Sequence, residues 1–155
     1  MRYVGKYLKG TKDEGIYLDP DDDGSFECWV DADFLGQYVK GAEDMELDAM
    51  TARSRMGYII TYAGCPITRT SKLQTEAALS STESEYIALS EAFRTLIPMM
   101  DLVEEARNMG VPMQLGALVV RCKAFEDNSG ALQMAYLPKM RPRTRHQNVK
   151  YHHFR

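Results

Sequence analysis

The sequence predicts a mixed α/β domain, and three observations carry that prediction. Residues 26–33, 56–62 and 65–70 are short, rich in strand-forming side chains and closely enough joined for an antiparallel meander. Residues 79–93 open with hydroxyls and acids and then turn apolar at helical spacing. Leu89, Phe93, Leu96, Met100 and Val103 continue that spacing as one buried stripe. Residues 115–125 form a further strand-like run beyond the helix. Strands on both sides of a long helix imply a sheet flanked by helices.

Size and composition agree with that class. The 155 residues suit one core-forming domain, and 45% hydrophobic with 26% charged residues is ordinary for a globular chain. No apolar run approaches the roughly 18 residues of a membrane span, and the N-terminus has no signal-peptide core, so no membrane partner is expected. Cys28, Cys65 and Cys122 are odd in number and far apart, in strand-like or apolar surroundings. They read as reduced residues of an intracellular protein, with neither a zinc pattern nor a disulfide framework.

The net charge of −3 hides an asymmetry. Asp19, Asp21, Asp22 and Asp23 form one acidic cluster, and Glu43, Asp44, Glu46 and Asp48 another. Residues 139–155 instead carry six Lys/Arg, all three histidines and no acid. Such a segment is either a solvated surface or a phosphate contact.

Along the chain, residues 1–10 read as a short helix ended by Gly10, and residues 16–18 as a brief strand. Residues 19–24 are a turn-rich linker. Residues 36–52 are polar and unpatterned, a loop, and Ala63-Gly64 is a tight turn. Thr82 and Glu85 have the form of a capping box, so Glu85 is either a cap or a functional group at the rim of the core. Taken alone, the stretch favours the cap. Pro98 is expected to kink or divide the helix, and Gly110 with Pro112 to stop it. Residues 129–137 look like a short helix.

Two strands ending in acids, Asp31-Ala-Asp33 and Glu126-Asp127, flank a helix with a glutamate near its start. Strand ends in an α/β layer share an edge where sites form. Carboxylates gathered there repel one another unless a divalent cation holds them, and oxygen-only ligands favour Mg²⁺ or Mn²⁺. Each acid singly is more simply a turn or a cap; the joint pattern is what points to a site.

With those acids placed, the chain resembles the ribonuclease H domain of Ty1/copia-type retrotransposon polyproteins over nearly its whole length. Residues 7–12 look like the tail of the preceding reverse transcriptase region. Val30-Asp-Ala-Asp33 resembles the first-strand run S-D-A-D-W-A-G. Residues 54–58, followed by Pro66-Ile67-Thr68, look like the second and third strands. Residues 78–92 resemble the A-L-S-S-T-E-A-E-Y helix, the most specific match. Glu126-Asp-Asn-Ser-Gly-Ala131 resembles C-D-N-Q-S-A, and residues 143–154 resemble R-T-K-H-I-D-I-R-Y-H-F.

The resemblance implies an RNase H-like fold, a mixed sheet with antiparallel strands 1-2-3 and a fourth strand parallel to the first. It divides the chain into residues 1–24, the reverse transcriptase tail and linker, and 25–155, the ribonuclease H domain. It implies hydrolysis of the RNA strand of an RNA–DNA hybrid during reverse transcription, inside the cell, in a cytoplasmic element particle or the nucleus. It assigns Asp31, Glu85 and Asp127 to metal binding and catalysis, with two Mg²⁺ (or Mn²⁺) ions about 4 Å apart, Asp31 bridging them. Glu83 lies about 200° around the helix from Glu85 and cannot face the same pair. Ser81 and Asn128 become candidates for sensing RNA 2′-hydroxyls, and Arg143, Arg145 and His146 for contacting phosphates. The implied partners are the hybrid and the parent polyprotein's reverse transcriptase domain.

The chain also departs from the family's pattern. Residues 37–52 replace a shorter connection, Pro98 breaks a helix that usually continues, and Gln147-Asn148 stands for Ile-Asp. In the family a last strand and a helix with a fourth carboxylate follow the position of Arg155. Without them, hybrid binding with poor cleavage is the expectation, and a remnant that keeps the fold without turnover is the alternative.

Overall fold

A computed structural model describes residues 2–21, 24–36, 52–112, 120–137 and 151. Its elements are α1 (Arg2–Gly10), β1 (Phe26–Asp33), β2 (Arg55–Tyr62), β3 (Cys65–Leu73), α2 (Ser81–Asn108), β4 (Cys122–Phe125) and α3 (Ser129–Tyr136). The sheet order is β3-β2-β1-β4, with β1–β2 and β2–β3 antiparallel and β1–β4 parallel. The architecture is RNase H-like, as the resemblance implies.

The meander forms where the alternation predicts. Ala63 (φ 49°) and Gly64 (φ 72°) make a two-residue turn in the left-handed region, whose twist suits adjoining antiparallel strands. Phe26, Cys28, Val30 and Ala32 of β1 are buried on one face, while Trp29 is 47% exposed on the other. β3 is an edge strand, largely polar, carrying Arg69 and Lys72. Its register slips between Ile60 and Thr61, where Pro66, which has no N–H to donate, is accommodated.

α2 lies across the inner face of the sheet. Its Ala88, Leu89, Ala92 and Leu96 pack with the inner residues of β1 and with Met56, Tyr58 and Ile60 of β2. Phe93, Met100 and Val103 extend the same stripe, half-buried. Burying a side chain the size of Ile60 or Leu96 contributes about 2–3 kcal/mol each, which fixes the helix on the sheet. A second cluster, Ala78, Tyr86, Ile87, Ala131 and Tyr151, joins the start of α2 to α3. Tyr151 is held there by its hydroxyl, which donates to Glu76 at 2.8 Å.

Several expectations are corrected. α2 runs unbroken from Ser81 to Asn108 through Pro98. Pro98 is exposed, so the missing donor is lost on the solvent side and the packed stripe holds the turns together. Residues 16–18 form no strand; their apolar side chains are exposed, and among the described residues no strand pairs with them. The N-cap is Ser80, with Glu83 reaching back to the Leu79 N–H, in place of a box of Thr82 with Glu85. β2 and β3 are longer than predicted, and β4 as described begins at Cys122. Most of the acidic loop, residues 113–119 and the basic segment apart from Tyr151 lie outside the described residues. Among the described residues α1 packs against no other element, and it exposes Tyr3, Val4, Tyr7 and Leu8.

Candidate metal centre

The site begins with the helix cap. Ser80 has extended backbone angles, and its Oγ accepts from the Glu83 N–H at 3.1 Å. The Glu83 carboxylate accepts from the Leu79 N–H at 2.9 Å. Three consecutive hydroxyl residues could each have capped the helix. The structure uses the earliest, Ser80. Glu85 is thereby released from capping and sits in the second turn, 6% exposed, facing the sheet.

What it faces is an open stretch of strand edge. β4 pairs with β1 only as far as Trp29 opposite Phe125. The Phe26 N–H donates to Arg121 on the β4 side, and every second residue along β1 presents its N–H the same way. Ala32 therefore points its N–H into the space beyond the end of β4, and the Glu85 carboxylate accepts it. Asp31 reaches the space from β1 and Asp127 from just past β4. One carboxylate oxygen from each of Asp31, Glu85 and Asp127 lies within 4.8 Å of the others. Among the described residues this is the one such gathering of acids, cysteines or histidines. Asp31 and Asp127 are exposed, and they line a cleft of about 540 Å³ with Trp29 and Glu126.

The electrostatics are those of crowded acids. Burial first, then repulsion from Glu126, Asp31 and Asp127, pushes the Glu85 carboxyl up to about 8 against the help of the Ala32 N–H. Burial, with repulsion from Asp127 and Asp31, raises Glu126 to about 6, opposed by the Asn128 N–H. Glu85 Oε2 and Glu126 Oε2 are buried without a hydrogen-bond partner among the described residues. Oxygen-only donors converging on one point, with a buried lone pair left over, fit a hard divalent cation.

The other predicted residues fare differently. Ser81 is exposed on the first turn of α2. Asn128 caps α3, its Oδ1 accepting from the Ala131 N–H at 3.0 Å and from the Thr82 hydroxyl at 3.3 Å. Arg143, Arg145 and His146 lie outside the described residues. Sequence reasoning passed over Glu126, treating it as a motif neighbour; strand alternation after Phe125 was the signal that places it on the helix side. It also passed over Gly57, which pairs with Asp31 across β1–β2 and leaves the outer face beside that acid clear.

No protein-family profile and no solved structure matches the chain. Over its full length it is similar to retrovirus-related Pol polyproteins of plant transposons. It is 29% identical to that of transposon TNT 1-94 from Nicotiana tabacum and 30% identical to that of transposon RE2 from Arabidopsis thaliana. It spans only 10% and 9% of those polyproteins, respectively. A 92-residue part, 59% of the chain, is 34% identical to 57% of the secreted RxLR effector protein 161 of Plasmopara viticola.

Proposed function

We propose that the chain is the ribonuclease H region of a Ty1/copia-type polyprotein, hydrolysing the RNA strand of RNA–DNA hybrids at Asp31, Glu85 and Asp127. The observation that carries this reading is the convergence of those three carboxylates, from two strand ends and one helix, to within 4.8 Å. They are the residues that the family's motifs single out, and the full-length similarity to Pol polyproteins supports the context.

Asp31, Glu85 and Asp127 would hold Mg²⁺ or Mn²⁺. When bound, the metal supplies an activated water at neutral pH and neutralises the charge that develops on the leaving oxygen. Glu85 would contribute a buried oxygen fixed by the Ala32 N–H, and it would hold the cation in its ionised form. Asp31 and Asp127 stay open to solvent, on the side from which a phosphate can approach. Asn128 is held in place by its cap, so its amide N–H groups can donate to an RNA 2′-hydroxyl.

A second reading is a retroelement remnant that binds nucleic acid without turnover; part of the chain is also similar to a protein that is not named as a polyprotein. One experiment separates the two. An end-labelled RNA annealed to DNA is offered, with Mg²⁺, to the chain, to a version extended through the following segment of the tobacco relative, and to the Asp127→Asn variant of each. Asp127-dependent cleavage by the chain or by the extended version supports hydrolysis. Hybrid binding without cleavage by either supports the remnant, and neither binding nor cleavage refutes both.

A further inference from the structure

Glu126 is an acid without an explanation in the three-carboxylate site. It is 9% exposed, and it follows Phe125, whose ring stacks on Trp29 at 3.9 Å on the outer face of the sheet. Alternation turns the next side chain inward, toward the start of α2. There Glu126 is the strongest repulsive neighbour of Glu85, ahead of Asp31 and Asp127. It lines the same cleft as those two acids.

A turn role accounts for half of the side chain. Oε1 accepts from the Asn128 N–H at 3.0 Å, which closes the loop between β4 and α3. Oε2 has no partner among the described residues and is fully enclosed. A buried carboxylate oxygen left unpaired beside three other acids is costly, and a cysteine, which the family's motif carries here, would avoid that cost. Yet Glu126 does not belong to the set of oxygens that meet within 4.8 Å. It stands outside the ligand triangle, with one oxygen pinned and the other enclosed and unpartnered among the described residues.

We propose that Glu126 is a fourth acid of the metal centre, acting from outside the ligands: its carboxylate, buried beside Glu85 with one oxygen unpartnered, adds its negative charge to the attraction for a divalent cation held by Asp31, Glu85 and Asp127. In this role Glu126 is a positioning residue, and its added negative charge tightens cation binding. The inference rests on the metal-centre reading of the site.

The test is Mn²⁺ titration of the whole chain by calorimetry, with melting curves in chelator and in saturating Mn²⁺, for the wild type, Glu126→Gln, Glu126→Cys and Asp127→Asn. Removing an outer partner of a metal site weakens binding by 10- to 100-fold, so both position-126 variants should bind Mn²⁺ about tenfold less tightly. In chelator Glu126→Gln should melt at or above the wild type, because an unpaired buried charge has gone, and its gain in melting temperature on adding Mn²⁺ should be smaller. A mere turn residue would not change that gain. Affinity within about twofold of the wild type in a folded Glu126→Gln overturns the inference while Asp127-dependent binding leaves the metal centre standing. If Glu126→Gln does not fold, Glu126→Cys provides the same comparison. Absence of Asp127-dependent binding in the wild type refutes the metal centre and this inference together.

Discussion

Replacing Glu85 with glutamine should flatten the pH dependence of stability in the metal-free protein. The structure raises this carboxyl from its ordinary 4.5 to about 8, through burial first and then the charges of Glu126, Asp31 and Asp127. A raised acid pKa means that the folded state keeps a proton the unfolded chain has released. The associated stability is complete below about pH 4.5 and is lost as the pH rises to about 8. Each pH unit in that window is worth about 1.4 kcal/mol, so the whole interval has a ceiling of roughly 4–5 kcal/mol. Asp31 and Asp127 open the cluster to solvent, and screening should reduce this to about 2 kcal/mol. In a chain of this size that corresponds to a fall of about 6 °C in melting temperature. Glu126, raised to about 6, titrates in both proteins, so the comparison above about pH 7 isolates Glu85. The assay is circular-dichroism melting in chelator from about pH 5 to about pH 8, repeated with saturating Mg²⁺. Under Mg²⁺ the Glu85 part of the wild-type slope, above about pH 7, should vanish, because a bound cation favours the ionised carboxyl. If Glu85→Gln keeps the same slope as the wild type in chelator, the assignment of the strained charge to Glu85 is wrong.

Two further substitutions test the helix that carries this residue. Ser80→Ala removes the acceptor for the Glu83 N–H and should cost about 1 kcal/mol, or about 3 °C in melting temperature; melting with the wild type would show that the cap lies elsewhere. Pro98→Ala restores a backbone donor at an exposed position of an unbroken helix and should stabilise by up to about 3 kcal/mol, read from denaturant midpoints. A loss of stability there would mean that the proline ring is required by its neighbours.

The legibility of this chain follows the range of the forces involved. Alternation in residues 26–33 is a local pattern set by burial on one face, and β1 occupies that span. The stripe from Leu89 to Val103 is likewise local, and it predicts which side of α2 meets the sheet. Capping register was harder to read, since Ser80, Ser81 and Thr82 offer equivalent hydroxyls and no local pattern separates them. Pro98 misled for the same reason: its local cost is real, but the sheet-facing side chains on both sides of it hold the helix in one piece. Among the site residues, Asp31 and Asp127 were visible as acids at strand ends. Glu85 needed the family's helix motif to separate it from a cap.

By itself, the sequence determined the three strands of the meander and the stripe of the long helix, which of their faces turn inward, and that acids stand at the ends of two strands and near the start of one helix. These depend on periodicity and on side-chain chemistry within a few residues. The tertiary structure alone decided that β4 stops pairing at Phe125 and leaves the Ala32 N–H for Glu85, and that Glu126 is buried with a spare oxygen beside three other carboxylates. Those facts arise where β1, α2 and the end of β4 meet. Burial and charge repulsion there act through space between residues far apart in the chain, and no local pattern encodes them.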